Sequence, residues 1–486
     1  MSPIPASDYI RILPELVLAL FGIVVMVADP LLAPHASRKP LGVISLLGAI
    51  LAAIASVFIA PDYFGDAFFG MVHVDEFSVF FHLLIAIITA VVILASYEYL
   101  DVQHIRHGEY YALILFGSVG MMLMSSATEL VLIFIALEIS SIATYILAGF
   151  RRRVAISTES SLKYFLLGSF ATAFFLYGIA LMFGASGSTS IPVIAQQLRS
   201  GHAPFLAFLA IALMFVGIGF KLAAAPFHVW TPDVYEGAPA PIVGLMSTAP
   251  KAAAFAVLLR ILFAAGSPGW FWMVWISAAL SMTLGNIGAL VQSNVKRLLA
   301  YSSIAHAGYL LVAFLGPAEA GHQLGISAAV FYTAAYAAMN VGAFCIVSHL
   351  AGSGERTVTI DDYAGLSRRA PWLAAMLTVF VLSLIGIPAT GGFFAKFYVF
   401  NAALKANVVW LTIIGVANSA IASYYYLRLI VVMYMREPSE SPAPVARLPW
   451  SMATAVALSA AATLYLGLWP NRVLDYALRS AQGLMR

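Results

Sequence analysis

The stretch Gly217–Pro241, GIGFKLAAAPFHVWTPDVYEGAPAP, places a lysine beside a break in an apolar helix. Pro226 has no N–H to donate to the carbonyl of Leu222, and its ring disfavours helical backbone at Ala225. The helix must therefore open next to Lys221. Hydrocarbon tolerates neither an unpaired carbonyl nor an isolated ammonium, so such a break persists only where protein or trapped water supplies partners. A broken helix with a lysine beside the break is what an ion pathway through a membrane needs.

The composition around this stretch is that of an integral membrane protein. Hydrophobic residues make up 62% of the chain and charged residues 10%, whereas soluble domains carry about 25% charged residues. About fourteen apolar segments, numbered as spans one to fourteen, are long enough to cross a bilayer as helices of about 20 residues. We therefore predict an all-α polytopic fold. The spans lie near residues 10–29, 40–60, 77–98, 109–126, 129–149, 157–184, 203–225, 241–265, 270–291, 297–316, 324–350, 371–405, 408–435 and 450–470.

Several classes of function are excluded by what the sequence contains. The net charge of +3 is small and the charges are scattered between the spans, which gives no indication of nucleic-acid binding. A single cysteine, Cys345, provides neither a disulfide framework nor a ligand set for zinc or iron–sulfur clusters. No glycine-rich phosphate loop follows a strand, so we expect no nucleotide site. We predict that the chain itself holds no cofactor and no metal.

Basic residues predict how the spans are oriented. They concentrate in the loops after odd-numbered spans, and the positive-inside rule places those loops in the cytoplasm. With fourteen spans, both termini then face the opposite side. The basic residues of these loops are Arg38, Lys39, Arg106, Arg151, Arg152, Arg153, Lys296, Arg297, Arg356, Arg368, Arg369, Arg436 and Arg447.

A second break of the same kind occurs in span twelve. There Pro388 is followed by Gly391 and Gly392 inside an apolar run, with Lys396 just beyond. If spans four to eight form one unit and spans nine to thirteen another, each unit has its broken helix in fourth place. A unit with an odd number of crossings is inverted when it is repeated, which predicts an inverted-topology repeat. The predicted divisions are 1–105 for peripheral helices, 106–266 and 267–440 for the two repeats, and 441–486 for the last helix and tail.

The lysines indicate what such a pathway carries. Of seven lysines in the chain, four fall within apolar segments, whereas the more numerous arginines mostly stay in loops and at span ends. A buried lysine can lose its proton, while arginine stays charged. Protons are therefore the predicted cargo. The four lysines are Lys163, Lys221, Lys251 and Lys396.

Three further side chains are candidates for the same pathway. Glu138 lies about halfway along span five, where a carboxylate costs several kcal/mol unless it is paired. His306 in span ten, among small residues, is either a proton relay or a satisfied core histidine. His228 follows the first break. Lys163 is either part of the pathway or only half of a surface ion pair, because Glu159 stands four residues before it on the same helix face.

These residues suggest a hypothetical sequence of proton transfers. Glu138 close to Lys221 would hold that lysine protonated, and separating the two would release the proton toward Lys251. His228 and the polar break would supply protons from one side. Lys396 would pass them out of the second half or on to a neighbouring subunit.

Three motifs identify the chain as similar to a known family. They are FKLAAAPFHVWTPDVYEGAPAPIVGLMSTAPKAAAF at 220–255, VKRLLAYSSIAHAGY at 295–309 and GIPATGGFFAKF at 386–397. They closely resemble subunit N of the proton-translocating NADH-quinone oxidoreductase, respiratory complex I. Subunits L and M and the large subunits of multisubunit sodium/proton antiporters are relatives. The resemblance covers nearly the whole chain and implies fourteen helices with two inverted five-helix repeats.

The resemblance also implies roles and partners. Glu138, Lys221, Lys251 and Lys396 match the family's relay residues, and Lys163 and His228 match channel positions. NADH, FMN, iron–sulfur clusters and quinone would be bound by other subunits. The partners would be the neighbouring antiporter-like and small membrane subunits, in the bacterial inner membrane. The alternatives are a sodium/proton antiporter subunit, for which an oxygen-rich sodium site would be expected, and a structural scaffold.

Overall fold

The computed structural model describes residues 4–33, 36–59, 61–199, 204–265, 270–315, 322–438 and 445–485. The N-terminal part contains helices α1 (Ala6–Arg11), α2 (Leu13–Ala28), α3 (Lys39–Phe58) and α4 (Glu76–Val102), with antiparallel strands β1 (Gly65–Ala67) and β2 (Val72–Val74) before α4. The middle contains α5 (Glu109–Ser126), α6 (Leu130–Ala148), α7 (Ala155–Ser186), α8 (Ile191–Arg199), α9 (Pro204–Leu222), α10 (Thr231–Gly237), α11 (Ala240–Met246) and α12 (Ala249–Ala265). There follow α13 (Trp270–Leu290), α14 (Val295–Val312), α15 (His322–Ala351), α16 (Leu366–Arg369), α17 (Pro371–Ile385), α18 (Gly391–Lys405), α19 (Val409–Met435), α20 (Trp450–Leu468) and α21 (Asn471–Met485).

This almost entirely helical architecture confirms the predicted all-α polytopic fold. Among the described residues, eleven helical segments are long and apolar enough to cross a membrane. The remaining three predicted spans are also helical, since they correspond to α5, α14 and the interrupted pair α17 and α18. Each of the fourteen predicted spans thus coincides with a helix or a pair of helices.

Both predicted breaks are present. Span seven corresponds to α9, which the non-helical segment 223–230 separates from the short helix α10, and span twelve consists of α17 and α18, separated by 386–390. Each break is in fourth place of its group of five spans, as expected. The inverted relation between the two groups stays a prediction. The predicted divisions after residues 266 and 440 lie outside the described residues.

Burial separates central helices from peripheral ones. Every residue of the most apolar window in Ala240–Leu262, which covers α11 and most of α12, is buried, and Lys251 lies in this segment. In the corresponding window of α4 the buried share is 78%, although the sequence predicts this helix to be peripheral with α2 and α3, whose windows are 28% and 44% buried. The reason is that α4 packs against α11, α12, α15 and α20 in addition to its neighbours α3 and α5.

The helices α13 and α14 approach each other closely at two glycines. A Cβ on Gly285 would lie 2.6 Å from the backbone nitrogen of Ala305, and one on Gly308 would lie 2.7 Å from that of Met282. Small residues allow such backbone contact between membrane helices. The result is a fixed position of α14, which carries His306.

Helix α21 was not predicted from the sequence, which indicated only a tail after the last span near residue 470. It packs against α4 and α15. The ring of Tyr476 lies 5.8 Å from that of Phe80, and the hydroxyl of Ser480 donates to the carbonyl of Glu76. The helix therefore covers the first turns of α4.

Candidate functional site

The backbone groups freed at the first break bond to two serines of a neighbouring helix. The amide of Ala225 donates to Ser281 Oγ at 2.7 Å, and Ser277 Oγ donates to the carbonyl of Ala225 at 2.6 Å. The indole of Trp230 donates to the carbonyl of Phe220 at 3.1 Å. The break is thus satisfied by protein, as its position in an apolar run requires.

Lys221 lies at the end of α9 with 4% of its surface exposed. Its Nζ donates to Ser141 Oγ at 3.0 Å and lies 6.0 Å from the centre of the Tyr164 ring. Glu138 lies three residues before Ser141 and hence on the same face of α6. Its Oε1 is buried and makes no hydrogen bond to a described protein atom. Lys221 therefore bonds to a hydroxyl, with the carboxylate about one helical turn away.

Lys251 is the central lysine of the fold, with 3% of its surface exposed. Its Nζ donates to Ser303 Oγ at 2.6 Å and to the Ser303 carbonyl at 3.1 Å. It lines a small cavity together with His306, Tyr332 and Tyr336. The structure thus brings Lys251 and His306, predicted separately, to the same cavity.

A polar stripe on α15, not predicted from the sequence, lines the other side of this cavity with two of its residues, Tyr332 and Tyr336. Tyr332, Tyr336 and Asn340 recur at every fourth position, which places them on one face of the helix. His306 Nδ1 lies 2.7 Å from the Tyr332 hydroxyl, and the Asn340 side-chain amide donates to Ser247 Oγ at 2.7 Å. The four-residue period within an apolar run was the signal available in the sequence.

Lys396 lies at the second break and bonds to backbone that the break exposes. Its Nζ donates to the carbonyls of Leu384 at 3.1 Å and Ile385 at 2.8 Å, at the end of α17. A third bond goes to Ser419 Oγ on α19 at 2.8 Å, and the Tyr309 ring centre lies 4.8 Å away. A cation at a helix C-terminus is favourable, so Lys396 supports the break as well as lining it.

The second break also depends on Gly392, and we expect Gly392→Ala to reduce the amount of assembled protein. An added Cβ would lie 1.8 Å from the carbonyl oxygen of Ser383, so α17 and α18 would have to separate, at a cost of about 1–3 kcal/mol or more. Membrane extracts should show less intact complex on native gels. The matched control is Gly184→Ala in α7, where the nearest atom is 3.7 Å away. Equal assembly of both variants would contradict the close packing.

Lys163 lies in an ion-pair network apart from the buried lysines. Its Nζ contacts Glu159 at 2.8 Å, as the sequence suggests, and Asp233 on α10 at 2.7 Å. Arg297 joins Asp233 to Glu236, at 2.8 Å from each. The Lys163 side chain is 41% exposed. The structure therefore places Lys163 on the partly exposed side of α10, within a network that extends to α14.

His228 lies between α9 and α10 and is only partly buried. Its Nδ1 is buried and makes no hydrogen bond to the described protein atoms. The structure gives His228 no direct bond to Lys221, although both residues flank the first break.

Three of the four buried lysines, Lys221, Lys251 and Lys396, share one feature that the sequence did not indicate. Each donates to a serine hydroxyl from another helix, Ser141, Ser303 or Ser419. Among the described residues, no carboxylate oxygen lies within the 4.0 Å ion-pair distance of any of the three Nζ atoms. A hydroxyl can donate or accept a hydrogen bond, so the same contact suits a charged or a neutral lysine.

Known proteins match the chain along its length. Residues 127–422 match the family described as NADH:quinone oxidoreductase/Mrp antiporter, TM. NADH-quinone oxidoreductase subunit N 2 of Koribacter versatilis is 68% identical, with 99% of each chain covered. The chain belongs to the NADH-quinone oxidoreductase subunit N family. The resemblance found in the three motifs is thereby confirmed.

Solved structures agree with the subunit N family. A chain of respiratory complex I from Thermus thermophilus with bound aureothin is 36% identical with a TM-score of 0.81, covering 95% of this chain and 98% of the other. A chain of the Mrp complex from Dietzia sp. DQ12-45-1b has a TM-score of 0.81 at 20% identity, with 97% of each chain covered. At that identity the second likeness shows the fold alone, so the antiporter alternative is less supported than subunit N.

Proposed function

We propose that this chain moves protons across the membrane as one pump of an NADH-quinone oxidoreductase. Lys221, Lys251 and Lys396, together with Glu138 and His306, form the proton relay of this subunit. The energy comes from electron transfer from NADH to quinone in other subunits of the complex. FMN, iron–sulfur clusters and both substrates bind there, and this chain contributes proton chemistry only.

The observation that carries the proposal is the bonding of the three buried lysines that lack a carboxylate partner. A buried ammonium next to a carboxylate stays charged, whereas Lys221, Lys251 and Lys396 bond to serine hydroxyls and backbone carbonyls. Each can therefore exist with or without its proton in the same place. A relay requires such a group, because it must accept a proton and then release it.

The residues divide into successive parts of the pathway. Glu138 and Lys221 form the first pair. Lys221 binds its proton more tightly when the carboxylate moves toward it and less tightly when the carboxylate moves away. Lys251 exchanges protons with His306 across their shared cavity. Lys396 forms the end of the relay at the second break. His228 and Lys163 serve proton access from the partly exposed side of α10.

The proposed setting is the bacterial inner membrane, where the chain contacts lipid and neighbouring antiporter-like and small subunits. Both termini face the periplasm in this arrangement, as the distribution of arginines predicts. The exposed apolar side chains on the outer faces of α2, α3 and α7 suit contact with lipid or with these neighbours.

Sodium dependence distinguishes this proposal from sodium/proton exchange. We expect inverted membrane vesicles that carry the complex to take up protons on NADH addition at the same rate in sodium and in potassium medium. The physical reason is that buried ammonium groups repel Na⁺, which binds oxygen cages. NADH oxidation and internal acidification are recorded together in one preparation.

Vesicles with the Lys221→Ala variant identify the share of proton uptake that belongs to this chain. Suppose that proton uptake depends on sodium in wild-type vesicles but not in Lys221→Ala vesicles. Sodium/proton exchange would then replace the proposed function. Equal proton uptake with and without Lys221 would favour a scaffold.

A further inference from the structure

A second cluster of buried charges lies at the junction of α10 and α11, away from the relay. The Glu355 carboxylate, with 3% of the side chain exposed, lies 2.8 Å from Lys296 Nζ and 3.1 Å from Arg151 Nη2. Its other oxygen accepts a hydrogen bond from the Tyr99 hydroxyl at 2.7 Å. We refer to Arg151, Lys296, Glu355 and Tyr99 as the Glu355 cluster. Its members come from four separate parts of the chain.

The cluster bonds directly to the backbone between α10 and α11. Glu355 accepts from the amide of Ala240, the first residue of α11, at 2.9 Å. Lys296 donates to the carbonyl of Ala238 at 2.7 Å, and Arg151 to that of Gly237 at 3.0 Å. A carboxylate thus meets a helix N-terminus while two cations meet the C-terminal carbonyls of the preceding helix, which is favourable at both ends.

Glu355 is held firmly by its own loop. The amide of Val295 donates to the carbonyl of Val358, and the amide of Ile360 donates to the carbonyl of Ser293, both at 2.8 Å. These bonds fasten the loop to the start of α14. Glu355 itself has a positive φ of 50°, an unfavourable backbone state for a non-glycine residue. The loop therefore keeps a strained residue in place to present its carboxylate.

The charge of this carboxylate is maintained. Burial by itself raises the pKa of Glu355, but the neighbouring charges of Lys296 and Arg151 and their hydrogen bonds lower it below the ordinary value. The group stays ionised at neutral pH. With two cations and one anion, the cluster has a net charge of +1.

We infer that Glu355 is a positioning residue that sets the place of Lys251 relative to Ser303. The inference rests on the proposed function. Lys251 lies in the segment α11–α12, and Ser303 lies in α14. These two parts of the structure are connected at two places. At the first place Glu355 accepts hydrogen bonds from both Ala240 and Lys296, and at the second place Lys251 donates to Ser303. A displacement of α11 relative to α14 at Glu355 therefore also changes the distance between Lys251 and Ser303.

The test uses Glu355→Gln in the whole complex. The glutamine keeps the shape and can still accept from Tyr99 and Ala240, but it leaves Lys296 and Arg151 with a net charge of +2. We expect protons pumped per NADH oxidised to fall by about 2-fold or more, within the range of mutations in coupling networks. The measurement is made in inverted vesicles at equal amounts of assembled complex. The control is Asp361→Asn in the same loop, since Asp361 pairs with Arg436 on the exposed surface.

A double variant, Glu355→Gln with Lys296→Gln, separates positioning from folding. It restores the native net charge of +1, and we expect it to recover at least about half of the lost pumping ratio, because the repulsion between Lys296 and Arg151 is removed. An unchanged ratio in Glu355→Gln would overturn the inference. A loss without any recovery in the double variant would also overturn it, because Glu355 would then support the fold only.

Lys251→Ala in the same vesicles keeps the two proposals apart. If Lys251→Ala stops pumping while Glu355→Gln pumps normally, only the positioning role fails. If Lys251→Ala pumps normally, the proposed relay fails first.

Discussion

Replacing Lys251 with Ala is expected to lower NADH-driven proton pumping at least about tenfold, since a positioned proton-transfer group typically contributes about 100-fold or more. Lys251 is 3% exposed, bonds to Ser303 and shares a cavity with His306. Alanine removes the only group of this residue that can carry a proton. The measurement is acidification of inverted vesicles, normalised to assembled complex.

Two further variants make this result specific. Lys251→Arg should recover little of the pumping, because arginine keeps its charge and does not release a proton. Lys39→Ala should pump normally, since Lys39 forms a partly exposed ion pair with Glu98 outside the relay. Full pumping in Lys251→Arg would mean that position 251 needs a fixed charge and would exclude it as a proton carrier.

Replacing Lys396 with Ala is expected to have two effects, one on pumping and one on stability. The proton carrier of the second break is lost, so pumping should fall by a factor similar to that in Lys251→Ala, about tenfold or more. The carbonyls of Leu384 and Ile385 also lose a buried donor, at a cost of about 1–3 kcal/mol each if nothing replaces it. Lower thermal stability of the complex should accompany the lost pumping.

The same helix provides the control for this prediction. Lys405 is the last residue of α18 and is exposed, so Lys405→Ala should change neither pumping nor stability. A Lys396→Ala variant with reduced stability and normal pumping would show that Lys396 serves the helix break alone.

The sequence was sufficient for those features that depend on short stretches of chain. The breaks follow from Pro226 and Pro388, because proline removes a backbone donor wherever it stands in a helix. The burial of Lys221, Lys251 and Lys396 follows from their apolar surroundings, because about 20 apolar residues in a row form a span. Lys163 is instead 41% exposed, and Lys296, expected in a loop, is buried. The family follows from three motifs and is confirmed by relatives that cover the whole chain. The roles of the individual relay residues stay predictions.

The polar partners of the lysines could not be predicted, because they lie on helices far away in the sequence. Ser419 lies 23 residues after Lys396 and Ser303 lies 52 residues after Lys251. Serine is common in membrane helices, so its type alone does not mark it as a partner. Glu355 lies in a polar loop between spans, and only its contacts show that its carboxylate is buried.

The sequence by itself determined that the chain spans a membrane, that two of its helices are interrupted and that lysines lie beside the two interruptions. These properties are local, since they follow from residue type and from the absence of water in hydrocarbon. Only the tertiary structure decided which buried lysines have no carboxylate as an ion-pair partner. Lys296 lies next to Glu355, whereas Lys221, Lys251 and Lys396 bond to serines. The packing of separate helices decides this difference, because an ion pair requires two groups within a few ångströms whatever their separation along the chain.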